Sequence, residues 1–172
     1  MSETQPTLGA GRLSADRLAA ANINPHTGLA TDYLNHFNEV VMMLEMLPAM
    51  PDCAEDVLDW TPLSYEAHFE ASVFTEKGLA IEAFYAAPPP LRRALRDVVA
   101  TLDTAVCEKQ GRLRAVAETP EGIDALAASL ATETVEEIKP LIASASAIIH
   151  GHLDPADVPE ADSQASIDAL FA

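Results

Sequence analysis

The sequence has little cysteine, glycine and positive charge, and each shortage excludes a class of protein. Its two cysteines, Cys53 and Cys107, are too few for a disulfide framework and lack the spacing of a zinc site. Seven glycines in 172 residues are too few for a turn-rich β-sandwich. Ten basic against 27 acidic residues give a net charge of −17, which argues against binding to nucleic acid.

Long hydrophobic runs are missing as well. The apolar stretches are only a few residues long, far below the roughly 20 residues that cross a bilayer. The first residues also lack the basic region and apolar block of a signal peptide. Motifs of nucleotide-binding loops, serine hydrolases and zinc proteases do not occur. We therefore expect a soluble, cytoplasmic protein that does not associate with a membrane.

Apolar residues make up 49% of the chain, and they recur at the three- and four-residue intervals of a helix. Proline-marked boundaries divide this pattern into four long helices, predicted over 29–47, 62–87, 91–118 and 119–149. Pro140 lies inside the last pattern, whose apolar stripe includes Val135, and it is expected to kink or split that helix. The predicted fold class is all-α, an up-and-down helical bundle of about four long helices.

The two ends of the chain differ from its body. Residues 1–28, with two prolines and three glycines, are predicted to form a loose N-terminal arm before a bundle over 29–151, with at most one or two turns of helix over Leu13–Ala21. Residues 152–162 contain four acidic residues and no basic one, which predicts an acidic tether. Residues 163–172 regain helical spacing, so a short helix that binds a partner is expected after the tether.

The last ten residues read Ser-Gln-Ala-Ser-Ile-Asp-Ala-Leu-Phe-Ala. Ile167, Leu170 and Phe171 share one face of a helix, with Gln164 and Asp168 beside them. This segment resembles the S-Q-x-x-I/V-D-x-L-type peptide with which flagellar-switch proteins and the chemotaxis phosphatase CheZ bind the response regulator CheY. The resemblance implies that these five residues bind a CheY-like receiver domain in two-component signalling.

The same resemblance implies a chemistry. In such phosphatases an acid and an amide on one helix face help water to attack the aspartyl phosphate of the regulator. The first predicted helix offers Asp32, Asn35 and His36 opposite its apolar stripe, and these are the implied catalytic residues. CheZ has glutamine four residues after the acid, where this chain has His36. No cofactor of its own is implied, because the receiver domain would supply Mg²⁺.

Two other functions are consistent with the sequence. One is a structural or scaffolding bundle without catalysis, in which the four methionines between 42 and 50 fill the core or form a surface that contacts a second copy. The other is a metal-binding bundle that uses His36, Glu39 and His68, which requires these side chains to face inward and meet.

Overall fold

The computed structural model describes residues 7–152, and within that range the secondary structure is entirely helical, without a strand. The α-helices are α1 (Ala15–Ala20), α2 (Asn35–Met46), α3 (Ala54–Asp59), α4 (Tyr65–Ala71), α5 (Lys77–Ala86), α6 (Pro89–Val116), α7 (Pro120–Glu133) and α8 (Lys139–Ile149). Short 3₁₀ helices occur at Gly11–Leu13, Thr31–Leu34 and Pro51–Cys53, and a π-helical turn at Thr134–Ile138. The all-α prediction is confirmed, but the described chain has more and shorter helices than the predicted four.

The described chain divides into two compact units. The first unit comprises residues 7–31, 65–97 and 145–152, and the second unit comprises Asp32–Ser64 and Val98–Ser144. Helices α6 and α8 each contribute residues to both units. Neither unit therefore has the boundaries of the predicted bundle.

The first unit includes most of the segment predicted as a loose N-terminal arm. Leu13, Leu18 and Ile23 from this segment are almost completely buried. The hydroxyl of Thr27 donates a hydrogen bond to the backbone carbonyl of Ile149, at 2.7 Å. Burial of three large apolar side chains stabilises the ordered state by several kcal/mol, at about 1.5–3 kcal/mol each. Among the described residues the segment is thus a packed part of this unit and not a loose arm.

The helix predicted over 62–87 is interrupted between α4 and α5. Ser72 follows α4 directly; its hydroxyl donates to the carbonyl of Phe69 at 2.9 Å and accepts the backbone N–H of Phe74 at 3.2 Å. Such local side-chain bonds compete with the helical hydrogen bonds of the backbone. The prediction of one continuous helix here is wrong for this reason.

The second unit is built around α2, which packs on α3, α7 and the π-helical turn. Phe37, Val40 and Leu44 lie on its inner face and are fully buried. The apolar spacing over 29–47 predicted this helix and its buried face, although the first part is 3₁₀ rather than α-helical. The helix predicted over 91–118 matches α6 closely.

The helix predicted over 119–149 is interrupted next to Pro140, where a kink or split was expected. The π-helical turn ends immediately before α8, whose second residue is Pro140. Proline has no N–H for the carbonyl four residues earlier and clashes with it, and a wider π turn accommodates both defects. Val135 lies in this turn and is 48% exposed, whereas Thr134 beside it is fully buried. The prediction that Val135 faces the core is therefore wrong.

Candidate functional site

Asp32 and Asn35 lie together at the start of α2. Asp32 is in the 3₁₀ helix that leads into α2, and Asn35 is the first residue of α2. The side-chain amide nitrogen of Asn35 donates to Oδ1 of Asp32 at 3.2 Å. Asp32 is half-buried and Asn35 is exposed. The acid and the amide predicted from their spacing thus do meet at the surface of the second unit.

His36, the third residue of the predicted catalytic set, does not lie on that surface. Its side chain is only 9% exposed and stacks on the ring of Trp60, with the centroids 4.6 Å apart and the planes at 23°. The edge of the ring also contacts Phe37, at 5.4 Å between centroids. His36 is therefore an aromatic core residue of the second unit, and its assignment to an exposed catalytic face is wrong.

The position of Trp60 explains why His36 is buried. The indole nitrogen of Trp60 donates to the backbone carbonyl of His36 at 2.9 Å. Trp60 comes 24 residues after His36 and directly after α3, between the helices predicted over 29–47 and 62–87. Local spacing on the first helix cannot reveal a partner so far along the chain. The feature of the sequence that could have indicated this partner is Trp60 itself, the single tryptophan of the chain.

The arrangement of side chains does not support the metal-binding alternative. No group of three or more histidine, cysteine, aspartate or glutamate side chains within residues 7–152 is placed to hold a metal ion. Glu39 is exposed, whereas His36 stacks inside the second unit. The ring of His68 packs edge-on against Phe69, with centroids 5.0 Å apart. Glu39 therefore does not face inward, as the metal-binding alternative requires.

Two polar residues that the sequence did not single out as functional are buried in α6. Gln110 is 6% exposed, and its side-chain nitrogen donates to the carbonyls of Val57 and Trp60 at 2.8 and 2.7 Å. Lys109 is fully buried, and its Nζ lies 3.0 Å from a carboxylate oxygen of Glu137. Gln110 fixes the end of α3 and with it the tryptophan that covers His36. Lys109 instead joins α6 to the π-helical turn, which contains Glu137.

A third polar residue of α6 has a perturbed ionisation. Burial raises the pKa of the Asp103 carboxyl from its ordinary value of 3.8 to about 6. Within the described residues, its Oδ1 atom is buried and has no hydrogen-bond partner. No hydrogen bond therefore offsets the loss of water at this oxygen when the carboxyl is ionised.

The residues predicted to bind a partner, Gln164, Ile167, Asp168, Leu170 and Phe171, lie outside the described residues, as does most of the predicted tether. Within residues 7–152, no helix has the length and apolar character needed to span a membrane. Comparisons of the chain with protein-family models, curated proteins and solved structures gave no match.

Proposed function

We propose that this protein is an up-and-down helical bundle that binds a CheY-like receiver domain through residues 163–171 and stimulates its dephosphorylation through Asp32 and Asn35. The single observation that carries the catalytic half is the hydrogen bond between these two side chains at an exposed helix start. The binding half is supported by the terminal peptide and by the acidic residues that precede it. In this proposal the protein acts in the cytoplasm.

The exposed pair has the groups that such a reaction requires. Water attacks the phosphorus of the aspartyl phosphate, the bond from phosphorus to the aspartate oxygen breaks, and inorganic phosphate and a free carboxylate are the products. Hydrolysis of this kind depends mainly on positioning and on charge stabilisation. Because Asn35 donates its N–H to Asp32, its carbonyl oxygen is oriented and can accept a hydrogen bond from the attacking water, which positions that water. Asp32 offers a negative charge to a cationic side chain of the receiver domain. Mg²⁺ would be held by the receiver domain.

Binding is tested by titrating a phosphorylated receiver domain with the full chain and with a chain that ends at Asp162. We expect the shortened chain to lose most of its affinity. Leu170→Asp should have the same effect, because it places a charge on the apolar face of the peptide. Ala169→Asp adds the same charge about 100° around the helix from Leu170 and about 160° from Ile167, away from the apolar face, and serves as the control. Equal affinity of the full and shortened chains would reject the role of the peptide.

Catalysis is tested by the rate of phosphate release from the receiver domain. Asn35→Ala and Asp32→Ala should each slow the stimulated reaction by about tenfold or more while binding is retained. Asn38→Ala is the matched control, because Asn38 is another exposed amide on α2. If Asn35→Ala and Asn38→Ala have the same rate as the unmodified protein, the catalytic half fails and the binding half stands.

A scaffolding function without catalysis is the second candidate, and the exposure of two methionines favours it. Met42 is 56% exposed and Met50 is 50% exposed, so the interpretation of these methionines as core filler is wrong. Such side chains suit a surface that contacts a second copy of the chain or another protein. A molecular mass that rises with protein concentration in sedimentation experiments would support the contact with a second copy.

A further inference from the structure

The second unit carries a shallow groove that the proposed function does not use. Its volume is about 400 Å³, and its lining residues are Glu45, Ala131, Thr132, Val135 and Glu136. Glu45 comes from α2, whereas the others come from α7 and the π-helical turn, two elements that pack against α2. The groove therefore follows a junction between helices, a common place for a partner helix to bind.

One large apolar side chain is exposed in this groove, and a second is exposed one turn away on α2. Val135 in its lining is 48% exposed. Met42 lies three residues before Glu45, so the two share one face of α2, and Met42 is 56% exposed. Together with Met50 they are the exposed large hydrophobic residues among the described residues of the second unit. An exposed apolar pair beside a groove is typical of an interaction surface.

The local backbone accounts for the exposure of Val135. Thr134 occupies the buried position at the start of the π-helical turn, and its hydroxyl donates to the carbonyl of Leu130 at 2.7 Å. The next side chain along, that of Val135, then faces solvent with Glu136 and Glu137. Isolated π turns occur frequently at functional sites in helical proteins. The backbone of the π-helical turn therefore directs the side chain of Val135 toward solvent.

The charges at the groove define the chemistry of its occupant. Glu45 and Glu136 line it, and the cation next to it is Lys139, whose Nζ lies 2.9 Å from a carboxylate oxygen of Glu45. Residues 152–172 carry five acidic and no basic side chains, so the chain's own tail is repelled. A second copy brings another net charge of −17. A partner with positive charge is not repelled by these glutamates and is therefore the favoured occupant.

We propose that this groove, together with Met42, binds an amphipathic helix of a partner protein that has an apolar face flanked by lysine or arginine. The apolar face covers Val135 and Met42, and the basic side chains pair with Glu136 and compete with Lys139 for Glu45. Methionine adapts its shape to different apolar side chains, so the surface accepts helices of varied sequence. This inference is independent of receiver-domain binding, since it uses neither Asp32, Asn35 nor the terminal peptide.

The test uses a synthetic peptide of about 18 residues, five helical turns, made of leucine and lysine in amphipathic order. A peptide of the same composition in scrambled order controls for simple charge attraction. We expect the full protein to bind the amphipathic peptide at least about tenfold more tightly than the scrambled one. Val135→Asp should remove this preference, whereas Val73→Asp, at a fully exposed valine of the first unit, should leave it unchanged.

Glu136→Lys provides a second variant at an exposed position, where folding is not at risk. It should weaken binding of the leucine–lysine peptide and strengthen binding of a leucine–glutamate peptide of the same pattern. Equal binding of the ordered and scrambled peptides would overturn the proposal, as would equal effects of the two valine variants. A concentration-dependent mass that Val135→Asp abolishes would identify a second copy as the occupant, and it would also overturn the proposal. Receiver-domain affinity, measured on the same variants, should not change.

Discussion

Trp60 donates its indole N–H to the backbone carbonyl of His36 at 2.9 Å, and its ring stacks on the imidazole of the same residue at 4.6 Å. These two contacts join the end of α3 to the beginning of α2. They enclose the imidazole and leave Asp32 and Asn35 as the polar pair of the predicted set at the surface. The composition of the candidate site is thus decided by an aromatic contact between residues far apart in the chain.

Two substitutions of Trp60 separate the hydrogen bond from the packing. Trp60→Phe keeps an aromatic ring but removes the indole hydrogen bond to the carbonyl of His36, so the free energy of unfolding should fall by about 0.5–1.5 kcal/mol. Trp60→Ala also opens a cavity and should cost about 3–5 kcal/mol. Urea unfolding followed by far-ultraviolet circular dichroism measures both, because the only tryptophan is lost. Equal losses for the two variants would contradict the role of the ring.

Gln110 makes a second prediction about the same region. Its side-chain nitrogen serves two buried carbonyls, those of Val57 and Trp60. Gln110→Leu should lower the free energy of unfolding by about 2 kcal/mol, because two acceptors lose their donor. Gln110→Glu should cost more at neutral pH, since a carboxylate then faces two carbonyl oxygens. The difference between the variants should narrow as the pH falls and the new carboxyl gains a proton, which denaturation at several pH values measures.

The sequence predicted those parts of the fold that depend on neighbouring residues. The spacing of Phe37, Val40 and Leu44 defines a helix and its inner face without knowledge of what covers it, and α2 has that face. The break after α4 was missed because it depends on the single hydroxyl of Ser72, a residue type that also occurs within helices. The prediction that Val135 faces the core is wrong because an apolar residue next to a helix's apolar stripe can still point to solvent.

In the candidate site, too, the features that depend on neighbouring residues could be predicted, and those that depend on distant residues could not. The spacing from Asp32 to Asn35 predicted that the two side chains share a face, because residues three apart on a helical segment are neighbours, and the hydrogen bond between them agrees with this. Whether the next residue, His36, faces water depends on Trp60, and no helical period contains that information. The burial of Lys109 and Gln110 was equally hidden, since both residue types are mostly found at protein surfaces.

Two glycines provide a matched pair of predictions. Gly111 lies inside α6, and a Cβ there would meet nothing within 4 Å. Gly111→Ala should therefore raise the free energy of unfolding by about 0.5–1 kcal/mol, the helix preference of alanine over glycine. Gly28 has a φ of +73°, and a Cβ there would lie 2.6 Å from the carbonyl oxygen of Ala83.

Gly28→Ala should lower the free energy of unfolding by at least about 2 kcal/mol, because of both the positive φ and the short distance from the added Cβ to Ala83. The same denaturation experiment measures both variants, and their effects should have opposite signs. A neutral Gly28→Ala would contradict the close approach of Gly28 to α5 within the first unit. The backbone N–H of Gly28 also donates to the carbonyl of Asn24 at 2.8 Å, which holds that turn in place.

Asp103 predicts how stability depends on pH. Burial raises the pKa of its carboxyl from 3.8 to about 6 in the folded protein. Between these two values the folded state holds a proton that the unfolded state lacks, so unfolding becomes less favourable as the pH falls. The contribution of Asp103 to stability is therefore least favourable above pH 6, and the penalty disappears as the pH falls through 6 to 3.8.

Asp103→Asn removes this dependence because the amide does not ionise. At pH 7 the variant should be more stable than the unmodified protein by on the order of 1 kcal/mol, less than the full shift would give because part of the carboxyl remains solvated. At pH 4 the two proteins should have nearly the same free energy of unfolding. Asp124→Asn removes the same charge from an exposed position of α7 and should change little at either pH. A stabilisation by Asp103→Asn that is the same at pH 4 and pH 7 would mean that the substitution acts through packing and not through the proton.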